Sequence, residues 1–304
     1  MNKWLPKVIL GVLLLSSCTV SASTMTTTQN MFFGTWVPTA ASGNISLTTS
    51  GTTTQSGVSA APSGSSAYQA ILRFSSTGTL GAVLDVITLT PLSSSVTLSN
   101  GSGGTVTVGN FAPQTGLGVT LLNPTVNIPM GGRLTFSGTP SGTYTGSLQV
   151  QGSGLLSGTA TATVPISVVF WQTLVVTQQT RLNFGAVEVI SGAGTVRIVP
   201  QTGIRTVVSG AGNINLVSSP TPTAGSFLVK GQPNAAVTVT LPATATITGS
   251  NGGTMTVNNF TKFPTTTTLD ATGNLTLNVG ADLMVGANQT AGTYTGTYTV
   301  TVNY

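Results

Sequence analysis

The chain has 304 residues, of which only 4% are charged, and it contains no histidine. Its acidic residues are scattered singly, so it lacks the local acid pair or histidine that general acid–base catalysis uses, and we expect no enzyme. The basic residues are also dispersed, which disfavours a nucleic-acid interface. The only acidic residues are Asp85, Glu188, Asp270 and Asp282.

Metal binding is similarly disfavoured by the sequence. Beyond the leader there is neither histidine nor cysteine to supply nitrogen or sulfur ligands. Residues 270–274 lack the acidic density of a calcium loop and are typical of a glycine turn between strands. We therefore expect no metal and no cofactor.

Residues 1–22 are typical of a secretory signal peptide. Lysines precede an apolar core at residues 8–15, and small side chains lead to a predicted cleavage between Ala22 and Ser23. An alternative interpretation is a lipoprotein signal, in which Cys18 carries the lipid. Either interpretation predicts export from the cytoplasm, and no later stretch is apolar for long enough to span a membrane.

The rest of the chain is rich in Gly, Thr and Val, which favours short strands joined by tight turns, and we find no helix signal there. Alternating apolar segments predict strands in two groups. In the first half they are residues 82–89, 96–98, 105–108, 119–121 and 132–136. In the second half they are residues 236–241, 244–248, 254–257, 275–279 and 281–285.

Four motifs occur twice in the same order, at offsets of 149 to 151 residues. They are Phe-Gly at 33 and 184, Gly-Gly-Thr-Val/Met-Thr-Val at 103 and 252, Asn-Phe at 110 and 259, and Gly-Thr-Tyr-Thr-Gly at 142 and 292. A β-helix would repeat at a far shorter period. The long period predicts two tandem immunoglobulin-like β-sandwich domains, residues 23–171 and 172–304.

The two copies differ after their closing strand. Residues 292–304 place apolar side chains on every second position, as an amphipathic strand does, and no further strand comes after them. Copy one is instead succeeded by an additional amphipathic strand at residues 159–170. The first row is Tyr294, Tyr298, Val300, Val302 and Tyr304, and the second is Ala160, Ala162, Val164, Ile166, Val168 and Phe170. We predict that domain two lacks its last strand, while both segments also remain compatible with ordinary sandwich strands.

Several aromatic residues allow two interpretations. Phe32, Phe33 and Trp36 could form a binding surface, although the alignment of Phe33 with Phe184 favours the core. Trp171 is expected to pack at the domain junction. Loops of copy one such as residues 50–66 are ligand-binding candidates by position alone.

Both copies resemble the bacterial domain-of-unknown-function 4402 family. The resemblance rests on Leu-Asn-Phe-Gly-Ala-Val at 182–187, Thr-Met-Thr-Val-Asn-Asn-Phe at 254–260, Leu-Asn-Val-Gly-Ala-Asp-Leu at 277–283 and the closing alternating strand. Copy one is more divergent, notably over residues 44–66. The family in turn is similar to spore coat protein U-like subunits of chaperone-usher pili, where each pilin lacks its seventh strand. A periplasmic chaperone lends that strand, and the next subunit then replaces it.

The resemblance implies a role for each amphipathic segment. Residues 294–304 would contact the chaperone, and later the donor strand of an adjacent subunit, during assembly through an outer-membrane usher. Residues 159–170 would act as an intramolecular donor strand that completes copy one. Because residues 23–32 show no alternating apolar row, the subunit would accept a strand without offering one. This implies a tip adhesin at the bacterial surface.

Two alternatives stay open at this point. One is a surface protein anchored through lipid on Cys18. The other is a carbohydrate-binding module or carbohydrate-active enzyme, which would bring Asp85 together with another acid in a cleft.

Overall fold

The computed structural model describes residues 23–76 and 84–304, and these residues form only strands, turns and loops. The predicted leader, including Cys18 and Ala22, lies outside the described residues. Within the described ranges no helix is present that could cross a membrane. The strands form two groups with no backbone pairing between them, which we call domain one (β1–β14) and domain two (β15–β26). The prediction of an all-β chain with two tandem β-sandwich domains is confirmed.

Domain one contains fourteen strands. They are β1 (Ser23–Gln29), β2 (Met31–Pro38), β3 (Ser42–Leu47), β4 (Thr53–Ser56), β5 (Val58–Ala60), β6 (Ala70–Ser76), β7 (Asp85–Val86), β8 (Thr88–Pro91), β9 (Ser95–Ser99), β10 (Thr105–Pro113), β11 (Gly118–Val119), β12 (Thr125–Ser137), β13 (Gly142–Gly154) and β14 (Gly158–Phe170).

The main sheet of domain one runs β1-β6-β12-β10-β9-β13-β14-β2-β5, with β3, β4 and β8 attached to it. Although β1 starts this order and β14 is near its end, the Thr27 hydroxyl of β1 donates a hydrogen bond to the Thr163 carbonyl of β14, at 2.8 Å. The sheet therefore curls back on itself. It encloses one continuous cluster of buried apolar side chains.

Domain two contains twelve strands. They are β15 (Val175–Thr180), β16 (Ala186–Val189), β17 (Gly194–Ile198), β18 (Arg205–Ser209), β19 (Ile214–Val217), β20 (Gly225–Lys230), β21 (Thr238–Thr240), β22 (Thr244–Gly249), β23 (Thr254–Phe263), β24 (Asn274–Val285), β25 (Tyr294–Thr295) and β26 (Thr301–Asn303).

The main sheet of domain two runs β15-β20-β24-β23-β22-β25, while β16 pairs only with β19 and β26 only with β21. Its strands thus have the order seen in domain one, but they form separate sheets instead of one curled sheet. The buried residues correspondingly fall into two separate clusters among the described residues.

The repeated Asn-Phe motif forms the same backbone feature in both domains. Asn110 in β10 and Asn259 in β23 both have φ of 49°, and the pairing register shifts around each of them. Asn tolerates this left-handed conformation better than most residues, and one extra residue in a strand produces a β-bulge. The motif therefore recurs because the bulge recurs.

The structure corrects three sequence-based strand assignments. The segments predicted separately at residues 275–279 and 281–285 form one strand, β24, because Gly280 continues the pairing with β23. The closing segment 292–304 is not one strand but the two short strands β25 and β26. Residues 23–29, which carry no alternating apolar row, nevertheless form β1 and bury Met25 against β6.

Candidate functional site

The additional strand of copy one, β14, lies between the last and first strands of domain one. It pairs antiparallel with β13 along its whole length, from Gly142 opposite Phe170 to Gly154 opposite Gly158. From Ile166 onward it also pairs in parallel with β2, and this pairing begins just after Pro165, the residue without an N–H. Because β14 has neighbours on both sides, it closes the curled sheet.

The alternating side chains of β14 point into the core of domain one. Val164, Ile166, Val168 and Phe170 are buried, while Ala160 and Ala162 pack partly buried against the same cluster. Burying a side chain of this size is worth about 1.5–3 kcal/mol, so this row supplies a large part of the domain's apolar stabilisation. Whether β14 acts as a donor strand in the assembly sense stays a prediction.

One end of this row is an aromatic cluster. The Phe170 ring lies 5.3 Å from the Phe136 ring and 5.8 Å from the Tyr144 ring, the second contact being edge-on. Edge-on and tilted ring pairs add stabilisation beyond the area that they bury. The C-terminal end of β14 is thus held firmly in the core.

In domain two the equivalent closing strand has a neighbour on only one side. β25 pairs with β22, and β26 pairs with β21, as β13 pairs with β9 and β8 in domain one. No described strand occupies the other side, where β14 lies in domain one. The backbone groups of residues 296–300 on that edge have no strand partner within the described chain.

The same repeat positions differ in burial because of this missing neighbour. Tyr144, Leu148 and Val150 of domain one are 3%, 1% and 0% exposed. Their counterparts in domain two are half-buried: these are Tyr294, Tyr298 and Val300. The predicted residues Val302 and Tyr304 are likewise half-buried.

The facing strands of domain two show the same loss of cover. Met25 of β1 is 7% exposed, but its counterpart Val176 is 39% exposed. Trp36 of β2 is fully covered, but its counterpart Val187 is half-buried. We call the space between residues 294–304 and residues 175–189 the domain-two groove. It is the place that β14 fills in domain one.

The centre of the domain-two groove is occupied by an inward-facing tyrosine. The Tyr298 ring lies 5.2 Å from Phe260 and 6.2 Å from Phe227. Its hydroxyl is buried and has no hydrogen-bond partner among the described residues. Burial raises the pKa of Tyr298 to about 12, because the phenolate would lose its hydration.

The two other tyrosines of this edge have hydrogen-bonded hydroxyls. Tyr294 donates to the Thr290 carbonyl at 2.5 Å and accepts from the Gln289 amide at 2.7 Å. Tyr304 donates to the Gln172 carbonyl and accepts from the Gln232 backbone N–H at 2.7 Å. Burial raises the pKa of Tyr304, partly offset by the bond from Gln232.

The linker between the domains contacts the groove end. The Trp171 backbone N–H donates to the Trp36 carbonyl at 2.8 Å, which continues the β14–β2 pairing by one residue. The Trp171 ring packs edge-on against Tyr304, with 5.4 Å between the ring centroids. Trp171 therefore connects the end of β14 to the end of the domain-two groove.

The other aromatic candidates are part of domain one. Phe33 and Trp36 are buried, and the Trp36 indole N–H donates to the Phe33 carbonyl at 2.6 Å. Phe32 is half-buried and its ring lies 5.3 Å from Tyr68. The interpretation of Phe33 and Trp36 as a surface-binding pair is therefore wrong, because both side chains face the core.

Each acidic residue has a partner that explains it structurally. Asp85 is buried and accepts hydrogen bonds from the backbone N–H groups of residues 155–157 and from the Ser157 hydroxyl. It thereby holds the turn that connects β13 to β14. Burial alone would raise its pKa, but these bonds outweigh it and lower the pKa of Asp85. No sequence pattern indicates this contact, because the partners are far apart in the chain.

The remaining acids lie in domain two. Asp282 forms a two-pronged ion pair with Arg197, at 2.6 and 2.7 Å, and also accepts from Asn259 at 3.0 Å. The bond from Arg197 is the main cause of a lowered pKa at Asp282. Asp270 caps a tight turn through Thr272 and Asn274. Glu188 accepts a hydrogen bond from the Asn215 amide at 3.1 Å.

A protein-family model matches residues 24–153 and again residues 174–304. Its description is Domain of unknown function (DUF4402). The chain belongs to the DUF4402 family. This DUF4402 protein thus carries two copies of the family domain, as its internal repeat predicted, and β14 lies between the two matched ranges. No curated protein matches it.

Two solved structures align with this DUF4402 protein. One is the CsuC–CsuE chaperone–tip adhesion subunit pre-assembly complex from the archaic chaperone-usher Csu pili of Acinetobacter baumannii, at 13% identity over 76% of this chain and 89% of the other, with a TM-score of 0.29. The other is a tetra-tandem repeat in the extending region of a large adhesion protein, at 10% identity over 93% and 99% of the two chains, with a TM-score of 0.13. Neither alignment reaches the agreement expected for a shared fold.

Proposed function

We propose that this DUF4402 protein is a non-enzymatic subunit of a bacterial surface fibre, and that its second domain is completed by a strand from another protein. One observation carries the proposal. The closing strand of the repeat is buried beneath β14 in domain one, and the same strand has no described neighbour on that side and half-exposed side chains in domain two.

Strand addition would satisfy both deficits of the groove at once. An inserted strand would pair with the free backbone edge, and its alternate side chains would cover the row from Tyr294 to Tyr304. Since these residues are already half-buried, the gain is smaller than for fully exposed ones, yet it amounts to several kcal/mol over the row. An uncovered edge of this kind also invites aggregation. This favours a periplasmic chaperone as the first occupant and an adjacent subunit, delivered through an outer-membrane usher, as the second.

The position of β14 supports a place at the fibre tip. Because β14 is built into the core of domain one, it is not free to complete a neighbouring subunit. β1 is likewise paired with β6 within the domain. We propose that the subunit accepts a strand and caps the fibre, with domain one presented to the surroundings for adhesion at the cell surface.

The acceptor role is tested with a peptide that copies β14, residues 158–170, added to the protein spanning residues 23–304. We expect a saturable rise in the melting temperature of domain two, and slower hydrogen exchange at residues 294–304. The peptide should not displace β14 itself, which is tethered beside its own site and so has a high effective concentration.

A matched peptide with Ile166→Asp is the control, because this change puts a charge on the inward face. Backbone amides of residues 296–300 that are already protected without peptide, together with no response to either peptide, would show that domain two is closed. The strand-acceptor role would then be wrong.

A further inference from the structure

We propose that the domain-two groove selects its strand by side-chain size: the residue placed opposite Tyr298 is Gly or Ala, and larger side chains lie opposite Gly296 and Gly292. This inference rests on the proposed acceptor role and adds the chemistry of the partner. The partner is an extended apolar strand that runs antiparallel to residues 294–304, as β14 runs beside β13.

Domain one provides the template for this rule. Directly opposed residues of antiparallel strands share a face and touch each other. In domain one, Phe170 lies opposite Gly142, Ile166 opposite Gly146, and Val164 opposite Leu148. Large side chains of β14 therefore lie where β13 has glycine, and a smaller one lies where β13 has leucine.

Domain two keeps the two glycines but changes the third position. Gly142 and Gly146 correspond to Gly292 and Gly296, so room for large side chains is retained there. Leu148 is replaced by the larger Tyr298, and Leu72 of β6 is replaced by the larger Phe227 of β20. The centre of the groove is therefore fuller in domain two than in domain one.

The inward position of Tyr298 is encoded in its surroundings. Its hydroxyl lies against Gly225, where a β-carbon would come within 2.3 Å of the oxygen, and domain one has Ala70 at this place. Glycine thus makes the room that the tyrosine needs. Since Phe227 and Phe260 contact the ring, the tyrosine cannot make way for a β-branched residue without losing these contacts.

The rule makes β14 a poor occupant of domain two. Val164 would be opposite Tyr298, although Ile166 and Phe170 would fit opposite the two glycines. The groove would therefore discriminate against the β14 strand of a second copy, and this would limit strand exchange between identical subunits.

A size-swap experiment tests the rule with the protein spanning residues 23–304. Two lysine-tailed peptides copying residues 158–170, one unchanged and one with Val164→Ala, are titrated into the wild-type protein and into a Tyr298→Leu variant. Because relieving overpacking outweighs the lost methyl groups, we expect the Val164→Ala peptide to bind wild type roughly tenfold more tightly than the unchanged peptide. On Tyr298→Leu the preference should reverse.

Two controls keep the outcome interpretable. If Tyr298→Leu is poorly folded, the pair Tyr298→Leu with Gly225→Ala restores the domain-one combination of Leu148 and Ala70. A peptide with the outward change Thr163→Ser should bind as the unchanged peptide does. Binding of both peptides with no coupling to residue 298 would overturn the size rule alone. Absence of binding by every peptide to every variant would overturn the acceptor role.

Discussion

The hydroxyl of Tyr298 lies against the bare backbone of Gly225, on the far side of the domain-two interior, and finds no hydrogen-bond partner among the described residues. A buried hydroxyl without a partner costs free energy, because its bonds to water are lost and not replaced. The groove therefore contains both an unpaired backbone edge and an unsatisfied polar group. Both deficits, and the strand that fills the counterpart of this groove in domain one, can be probed by single substitutions.

Replacing Tyr298 by Phe should stabilise the protein when no partner strand is present. The ring contacts with Phe227 and Phe260 would remain, while the unsatisfied hydroxyl would be removed. We expect a gain of about 1 kcal/mol in the free energy of unfolding, measured with urea. Tyr294→Phe is the matched control, and it should destabilise, because the Tyr294 hydroxyl has two partners. Equal destabilisation by both changes would contradict the assignment.

Alkaline pH should selectively weaken domain two. The pKa of Tyr298 is raised to about 12 in the folded state, above the value of about 10 expected for an unfolded chain. Its neutral form is thus favoured by folding, so this stability is complete below pH 10 and is lost as the pH rises toward 12. Melting temperatures should fall over this range, and less steeply in Tyr298→Phe. Parallel curves for the two proteins would argue against a buried phenol.

Replacing Asp85 by Asn should destabilise domain one. An amide cannot reproduce the three bonds that one carboxylate oxygen accepts from Leu156 and Ser157. We expect a loss of about 2 kcal/mol at neutral pH, because hydrogen bonds to a charged group are the stronger ones. Urea unfolding of both proteins measures the loss.

The same pair of proteins has a defined acid dependence. The folded pKa of Asp85 is lowered, so its contribution is present above the usual carboxyl pKa of about 4 and is lost as the pH falls through the folded value. Wild type should therefore lose more stability on acidification than Asp85→Asn, and the two should converge. A constant difference down to low pH would show that the charge of Asp85 is not what holds the β13–β14 turn.

Replacing Ile166 by Asp in β14 should unfold domain one. The side chain is 1% exposed in the centre of the core, and a carboxylate there would have no partner. We expect a loss above about 3 kcal/mol, seen as the disappearance of the domain-one transition in calorimetry. Thr161→Asp is the control, because Thr161 is exposed on the same strand and should be tolerated. A cooperative domain-one transition in the Ile166→Asp protein would mean that β14 is dispensable.

Much of this architecture is predictable because the signals are local. Alternation in residues 159–170 identifies β14, and the recurring Asn-Phe motif marks two equivalent bulges. The full extent of β24 escapes a local pattern because Gly280 resembles a break, whereas the pairing with β23 continues through it. β1 escapes it because its row is mostly threonine and only Met25 is buried.

Local patterns in the amino-acid sequence suffice for the all-β class, the two copies and the two amphipathic rows, because strand period and repeat spacing are properties of neighbouring residues. Which of the two rows is covered depends on the packed structure. Leu148 is buried and Tyr298 is half-buried at equivalent positions, since β14 lies beside the first and no described strand lies beside the second. The contacts of Asp85 with the β13–β14 turn and of Tyr298 with Gly225 likewise join distant parts of the chain. Such contacts depend on how the sheets curl and pack, which no local pattern encodes.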